Sequence, residues 1–266
     1  MYTYRSSVKR ARRQPQEERV TDSQPIQPTG GERLSRIRRR IGSHMVSSKA
    51  TSPHVLTAME VDYESVEAVR RAHRPQWKKS EGFSLTYLPF IIHAVARSLT
   101  DFPRVNASVN DTNLVIHDEL NVGVAVDLDF EGLVVPVIRE VGELPLIELA
   151  RQIVHVAERA HARKLAPDDM AGGTFTITNA GPFGTLLQFP IINQPQVAIL
   201  STDGVSRKPA VVTDADGNES IEIRSIGILA LAWDHRAFDG AYAASFLGRI
   251  RELIECTDWE SEIEIT

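Results

Sequence analysis

The sequence predicts one mixed α/β domain, an α+β two-layer arrangement with helices packed on a largely antiparallel sheet. Three observations predict it. Five segments carry apolar residues at helical spacing. Between them lie short alternating or wholly apolar runs bounded by Gly, Asn, Asp and Pro, the pattern of strands. These strand candidates outnumber the helices and are partly joined by short turns.

Residues 1–30 are polar, rich in Gln and Pro, and carry a basic cluster from Arg5 to Arg13. Such a composition does not offset its ordering entropy and predicts a flexible linker, with the folded domain over 31–266. Leu34, Ile37 and Ile41 share one face of a short basic helix running toward Ser47. A strand is expected over 54–61, and Asp62 with Glu64 opens a helix toward Trp77. Leu85, Leu88, Ile91, Ile92, Val95 and Leu99 make the wide stripe of a core helix. Strands are expected over 107–110, 113–118, 122–127 and 133–138, and a helix after Pro145 through Ala162. In 174–178, alternation sets three threonine hydroxyls on one face and Phe175 and Ile177 on the other. Further strands are expected over 197–200, 210–213 and 221–233, with a turn at Asp214-Asp216-Gly217. The last helix carries Phe246, Leu247, Ile250, Leu253 and Ile254.

The 266 residues suffice for a sizeable core, and the net charge of −5 argues against nucleic acid as the partner of the whole chain. Cys256 is the one cysteine, which excludes an intrachain disulfide and a cysteine-rich metal site, and makes a reducing compartment the default. No apolar run is long enough to span a membrane, and the start lacks the apolar core of a secretory signal. Dinucleotide, Walker, zinc-peptidase and nucleophile-elbow motifs are absent. His44, His54, His73, His93, His117, His155 and His161 show no paired ligand spacing and read as surface or core residues.

The eighth histidine differs. Asp234-His235-Arg236-Ala237-Phe238-Asp239-Gly240 joins the buried strand 226–233 to the last helix. An imidazole there, with an ordinary pKa near ~6.5, accepts a proton from a thiol whose own value lies near ~8.5. Attack of the thiolate on a thioester needs a preorganised donor for the oxyanion, and the Thr178 hydroxyl stands at the end of the polar strand face. The residues alone leave plainer readings open: Asp239-Gly240 as an ordinary N-cap, His235 as a loop histidine, and Thr178 chosen for β propensity.

The loop 234–240 with Phe246-Leu247, Gly172-Gly173-Thr174-Phe175-Thr176-Ile177-Thr178-Asn179-Ala180-Gly181, and the run 190–200 together resemble the catalytic domain of the dihydrolipoamide acyltransferases, cores of 2-oxoacid dehydrogenase complexes. Leu88-Pro89-Phe90, Asn106-Ala107-Ser108 and 132–137 have the family's form too, so the resemblance covers 31–266. It implies a chloramphenicol acetyltransferase-like fold and a homotrimer building a larger cube or dodecahedron. The implied partners are the E1 and E3 enzymes of the complex and a lipoyl domain, with neither nucleic acid nor membrane. Coenzyme A and lipoamide would be substrates, with no metal. His235 would be the general base and Thr178, from an adjacent subunit, the oxyanion donor; Asp239 would hold the active-site loop. Arg70, Thr86, Asp127 and Asn179 fall at coenzyme A-contacting positions. A branched-chain acyl group is slightly favoured, from Ile191-Ile192-Asn193 and 246–250. Cytoplasm is the implied setting, or the mitochondrial matrix in a eukaryote. The lipoyl and subunit-binding domains usual in the family do not fit in 1–30, which predicts an excised core or a short form served by lipoyl domains of another chain. Two other readings are a mainly structural assembly core and a stand-alone coenzyme A-dependent O-acetyltransferase.

Overall fold

A computed structural model describes residues 31–263; the linker expected over 1–30 lies outside them. The chain divides into two units, Met1–Leu34 and Ser35–Thr266. Of the first, residues 31–34 are described and form neither helix nor strand; every described helix and strand belongs to the second.

Helix α1 (Arg36–Thr51) starts where the Ser35 hydroxyl accepts the Arg38 N–H at 3.2 Å, and runs a turn beyond the expected end. Strand β1 (His54–Asp62) leads into α2 (Glu64–Glu81), whose first N–H goes to Asp62 Oδ1 at 2.8 Å. That helix passes the expected stop at Trp77 and ends at Gly82, whose φ of 80° suits the left-handed cap. Helix α3 (Leu88–Asp101) is apolar nearly all round and buried accordingly. Strands β2 (Ala107–Asn110) and β3 (Asn113–Ile116) form a hairpin.

The two strands expected over 122–127 and 133–138 are instead four short ones: β4 (Val122–Val124), β5 (Val126–Asp127), β6 (Leu133–Val134) and β7 (Val137–Ile138). Proline supplies the reason. Pro136 has no N–H for the ladder, although its carbonyl accepts the Val124 N–H at 2.9 Å, and the next N–H, from Ala125, turns to the Ile177 carbonyl. After α4 (Leu146–His161) come β8 (Phe175–Asn179), β9 (Ala198–Thr202), β10 (Ser206–Thr213) and the 16-residue β11 (Glu219–Asp234). Helices α5 (Gly240–Cys256) and α6 (Trp259–Glu262) close the chain.

Seven strands share one sheet in the order β1-β11-β9-β8-β4-β7, with β10 paired to the outer half of β11. Only β8 runs parallel to its neighbours, β4 and β9; the other pairs are antiparallel, so the sheet is mixed and largely antiparallel as expected. One face presents Phe175, Ile177, Leu200, Leu229, Leu231 and Trp233 to α2–α5, forming the main core. The other face carries Ile199 and Ala232 under Ile192. Strand alternation therefore assigns Thr176 and Thr178 to the face away from the core helices.

Candidate functional site

His235 directly follows Asp234, the last residue of β11, a strand flanked by β1 and β9. Its backbone N–H donates to the Pro53 carbonyl at 3.2 Å, and its ring lies 5.0 Å from that of Trp233. Trp233 in turn stacks on Phe238 and donates from Nε1 to Thr57 Oγ1 at 3.0 Å. The loop is anchored by Asp234, a carboxylate only 1% exposed that binds the Arg236 guanidinium through two N–H groups, the closer at 2.6 Å, and the Arg236 backbone N–H at 2.9 Å. Burial pushes the Asp234 carboxyl up, but hydrogen bonds from Arg236 and Ser52 outweigh it and hold the group below the ordinary carboxylate range.

The consequence for stability has a definite sign. A carboxylate whose value is depressed on folding stabilises the fold above its unfolded value, near ~3.9, and loses that contribution as pH falls through the folded value. Arg236→Ala removes the compensation and leaves a buried charge. Because the Arg236 side chain is 37% exposed, the cost is expected at about 2 kcal/mol at neutral pH, below that of a fully buried pair. Chemical denaturation of the assembled protein measures it, and the deficit should shrink under acid conditions.

Asp239 takes the N-cap position of α5, but its side chain makes no capping hydrogen bond; its backbone carbonyl accepts from Tyr242 and Ala243 instead. The carboxylate is 87% exposed and stands 3.6 Å from His235 Nδ1. Within one chain, Asp234, Arg236 and the Pro53 carbonyl hold this loop. A cavity of about 500 Å³ beside Asp239 is lined by Phe102, Phe238 and Tyr242, and His235 is not part of its wall.

The threonine face of β8 divides by use. Thr174 Oγ1 bonds the Asn121 backbone, and Thr176 Oγ1 donates to Gln196 Oε1 at 2.6 Å while accepting from Asn193 Nδ2. Thr178 is half-buried and, among the described residues, its hydroxyl has no hydrogen-bond partner. It is the one hydroxyl of the three left to donate elsewhere.

The sheet register keeps Thr178 and His235 apart. Thr178 pairs with Ser201, and Ser201 with Ala230. Thr178 therefore lies two strands across from β11 and level with a residue five positions before His235. At about 3.3 Å per residue and 4.8 Å per strand, the two backbones are on the order of 19 Å apart.

Of the positions expected to contact coenzyme A, Asn179 and Asp127 lie at the Thr178 end. Asn179 pairs with Thr202, and Asn179 Oδ1 accepts the Gly181 N–H at 3.0 Å. Asp127 lies on β5 just past the β4–β8 pairing, and its Oδ2 accepts the Phe130 N–H at 3.0 Å. Arg70 is ion-paired with Glu67, donates to the Leu85 carbonyl at 3.0 Å and lies over the Tyr87 ring at 3.8 Å. Thr86, between Leu85 and Tyr87, is exposed. The Tyr87 ring meets Tyr63, whose N–H goes to Ser225, next to the region of β11 that faces the end of β8. Thr178, Asn179 and Asp127 thus share one end of the sheet, His235 and Asp239 share the other, and Arg70 and Thr86 lie on the helix side. Among the described residues, no group of three His, Cys, Asp or Glu stands together as metal ligands, and no helix is long and apolar enough to cross a membrane.

Sequence reading did not single out Pro53, Ser52 or His54, which meet the His235 loop. Their partners lie far along the chain, so no local spacing marks them.

A family model described as the catalytic domain of 2-oxoacid dehydrogenases acyltransferase matches residues 27–261. The chain is 37% identical over 236 residues to the dihydrolipoyllysine-residue acetyltransferase component of the Corynebacterium glutamicum pyruvate dehydrogenase complex, covering 88% of this chain and 35% of that protein. It is 36% identical over 227 residues to the Bacillus subtilis lipoamide acyltransferase component of the branched-chain alpha-keto acid dehydrogenase complex, covering 85% and 52%. A Haemophilus influenzae succinyltransferase component is also 36% identical, over 222 residues, covering 84% and 53%. The chain spans about a third to a half of the length of these relatives. Among solved structures, one of Azotobacter vinelandii dihydrolipoamide acetyltransferase matches with a TM-score of 0.80 and 32% identity, covering 90% of this chain and 99% of that one. That work concerns the role of a serine, a histidine and, four residues after the histidine, an asparagine in the catalytic mechanism.

Proposed function

The chain belongs to the 2-oxoacid dehydrogenase acyltransferase family, as its catalytic domain, and from that premise we propose that it moves an acyl group between dihydrolipoamide and coenzyme A at sites shared by two copies of itself. The observation that carries this reading is the separation, at opposite ends of one sheet, of an exposed His235 from a Thr178 whose hydroxyl has no hydrogen-bond partner among the described residues. That separation supports sites to which each copy contributes one of the two groups and a neighbouring copy the other.

In the proposed reaction, the neutral His235 imidazole takes the proton of the attacking thiol, either that of coenzyme A or that of dihydrolipoamide. The thiolate adds to the thioester carbonyl carbon. The resulting oxyanion accepts a hydrogen bond from the Thr178 hydroxyl of the neighbouring copy, and its collapse expels the second thiolate, which regains the proton from the imidazolium. Asp239 stands 3.6 Å from Nδ1, and the four-residue spacing from His235 equals that of the histidine and asparagine in the Azotobacter enzyme. Arg70, Thr86, Asp127 and Asn179 are proposed to receive coenzyme A, supported for Asp127 and Asn179 by their place beside Thr178. The proposed assembly is a homotrimer within a larger core that works with E1, E3 and a lipoyl domain; a cubic core of a pyruvate dehydrogenase complex is among the similar solved structures.

Acetyl, branched-chain and succinyl relatives stand at 37%, 36% and 36% identity, so overall identity does not rank the acyl groups. The form of 246–250 and of Ile191-Ile192-Asn193 favours a branched-chain group. The test is transfer from acetyl-, succinyl-, isobutyryl- and isovaleryl-coenzyme A to free dihydrolipoamide. The highest kcat/KM is expected with isobutyryl or isovaleryl donors. A preference for acetyl or succinyl would reassign the acyl group, and no transfer from any donor would favour a mainly structural core.

A further inference from the structure

Both ring nitrogens of His54 are engaged. Nδ1 lies 2.8 Å from the Ser52 carbonyl oxygen, and Nε2 lies 3.1 Å from the Ile192 backbone nitrogen. A carbonyl only accepts and a backbone N–H only donates, so Nδ1 carries the proton and Nε2 is the acceptor: the ring is held as its neutral Nδ1–H tautomer. A residue whose two nitrogens are committed in opposite senses is a bracket between two segments of chain.

Those segments bear on the proposed site from both sides. On one side, His54 pairs with Asp234 in the β1–β11 ladder, and the adjoining Pro53 carbonyl receives the His235 N–H at 3.2 Å. On the other, Ile192 is gripped twice, its N–H by His54 and its carbonyl by the buried Ser48 hydroxyl at 2.6 Å. The same segment bonds back to the first: Gln194 Nε2 donates to Ser52 Oγ at 2.6 Å. It also reaches the threonine strand, since Asn193 Nδ2 and Gln196 Oε1 both bond Thr176 Oγ1.

We propose that His54 is a positioning residue: by bracketing the Ser52 carbonyl to the Ile192 N–H it fixes the Pro53 carbonyl, and through it the backbone of His235, in the place that proton transfer requires. The proposal rests on the reading of His235 as the general base. Ser52 is also held by the Gln194 amide, whereas the Ile192 N–H has no other acceptor among the described residues; the Nε2 end of the bracket is therefore the one without a substitute, and a side chain able to accept at that point can replace the ring. Displacing a catalytic group by about 1 Å costs a reaction about 10²-fold, while substrate sites at the far end of the sheet are untouched.

The test compares His54→Asn and His54→Gln in the assembled protein, using acyl transfer to free dihydrolipoamide. Asparagine places an amide near Nδ1 but leaves Ile192 without its acceptor; glutamine carries an acceptor to the Nε2 position. His54→Asn is expected to lower kcat by about 10²-fold with KM for coenzyme A and dihydrolipoamide within about twofold, and His54→Gln to recover most of kcat. Wild-type kcat in His54→Asn, a loss confined to KM, or a folded His54→Gln as slow as the asparagine variant would each overturn the proposal. Should His54→Asn not assemble, the glutamine variant alone decides by whether it keeps kcat. His235→Ala is measured beside them. If that variant keeps its rate, the base assignment fails and this proposal with it; if it is inactive while His54→Asn matches wild type, only the role of His54 falls.

Discussion

His235→Ala is expected to lower kcat by about 10²–10⁴-fold, the range for loss of a positioned general base, while leaving the assembly intact. The second half of that expectation follows from what the side chain touches. The imidazole is half exposed and forms no side-chain hydrogen bond within the described residues beyond its 3.6 Å approach to Asp239. The backbone N–H that donates to Pro53 survives the substitution, Trp233 keeps its stacking on Phe238, and Asp234 keeps Arg236. Steady-state kinetics with sedimentation of the same preparation separate the two effects. Near-normal turnover in a correctly assembled variant would remove His235 from the chemistry.

Two inactive variants are expected to rescue each other. Thr178→Ala alone should cost on the order of 10²–10³-fold in kcat, as for loss of one oxyanion donor. If each site takes His235 from one subunit and Thr178 from the next around a trimer, a 1:1 random mixture of His235→Ala and Thr178→Ala chains contains intact sites. Half of the subunits offer an intact histidine and half of their neighbours an intact threonine, so about one quarter of wild-type activity should return. Were both groups drawn from the same chain, no mixture could contain an intact site, and activity would stay at the level of the separate variants. The register argues for the first outcome, because some 19 Å of sheet separates the two groups within one chain. Co-refolding the two variants and assaying against unmixed controls gives the answer.

The helices were legible because burial imposes a 3.6-residue period on their own residues: α4 was expected from Pro145 through Ala162 and spans Leu146–His161. The broken strands at 122–138 were not, since a proline's missing N–H matters only once a partner strand is chosen. Thr178 was legible as one of three alternating threonines, but not as the one without a partner, because Gln196 and Asn121 claim the others from distant segments. The motif marks Asp234 and Asp239 alike; that Asp234 is the buried one, paired with Arg236, is a property of the packed chain.

By itself the sequence determined the mixed α/β class, the order of its longer helices and strands, the family and the residue types needed for thiol-to-thioester transfer. Each of these is written in local periodicity or in contiguous motifs. The tertiary structure alone decided that His235 and Thr178 stand at opposite ends of the sheet, that Arg70 is already bound to Glu67 and Tyr87, and that His54 brackets Ile192 across 138 positions. These follow from strand register and from contacts between distant segments. Such relations depend on which surfaces meet when the whole chain packs, and no window of neighbouring residues contains them.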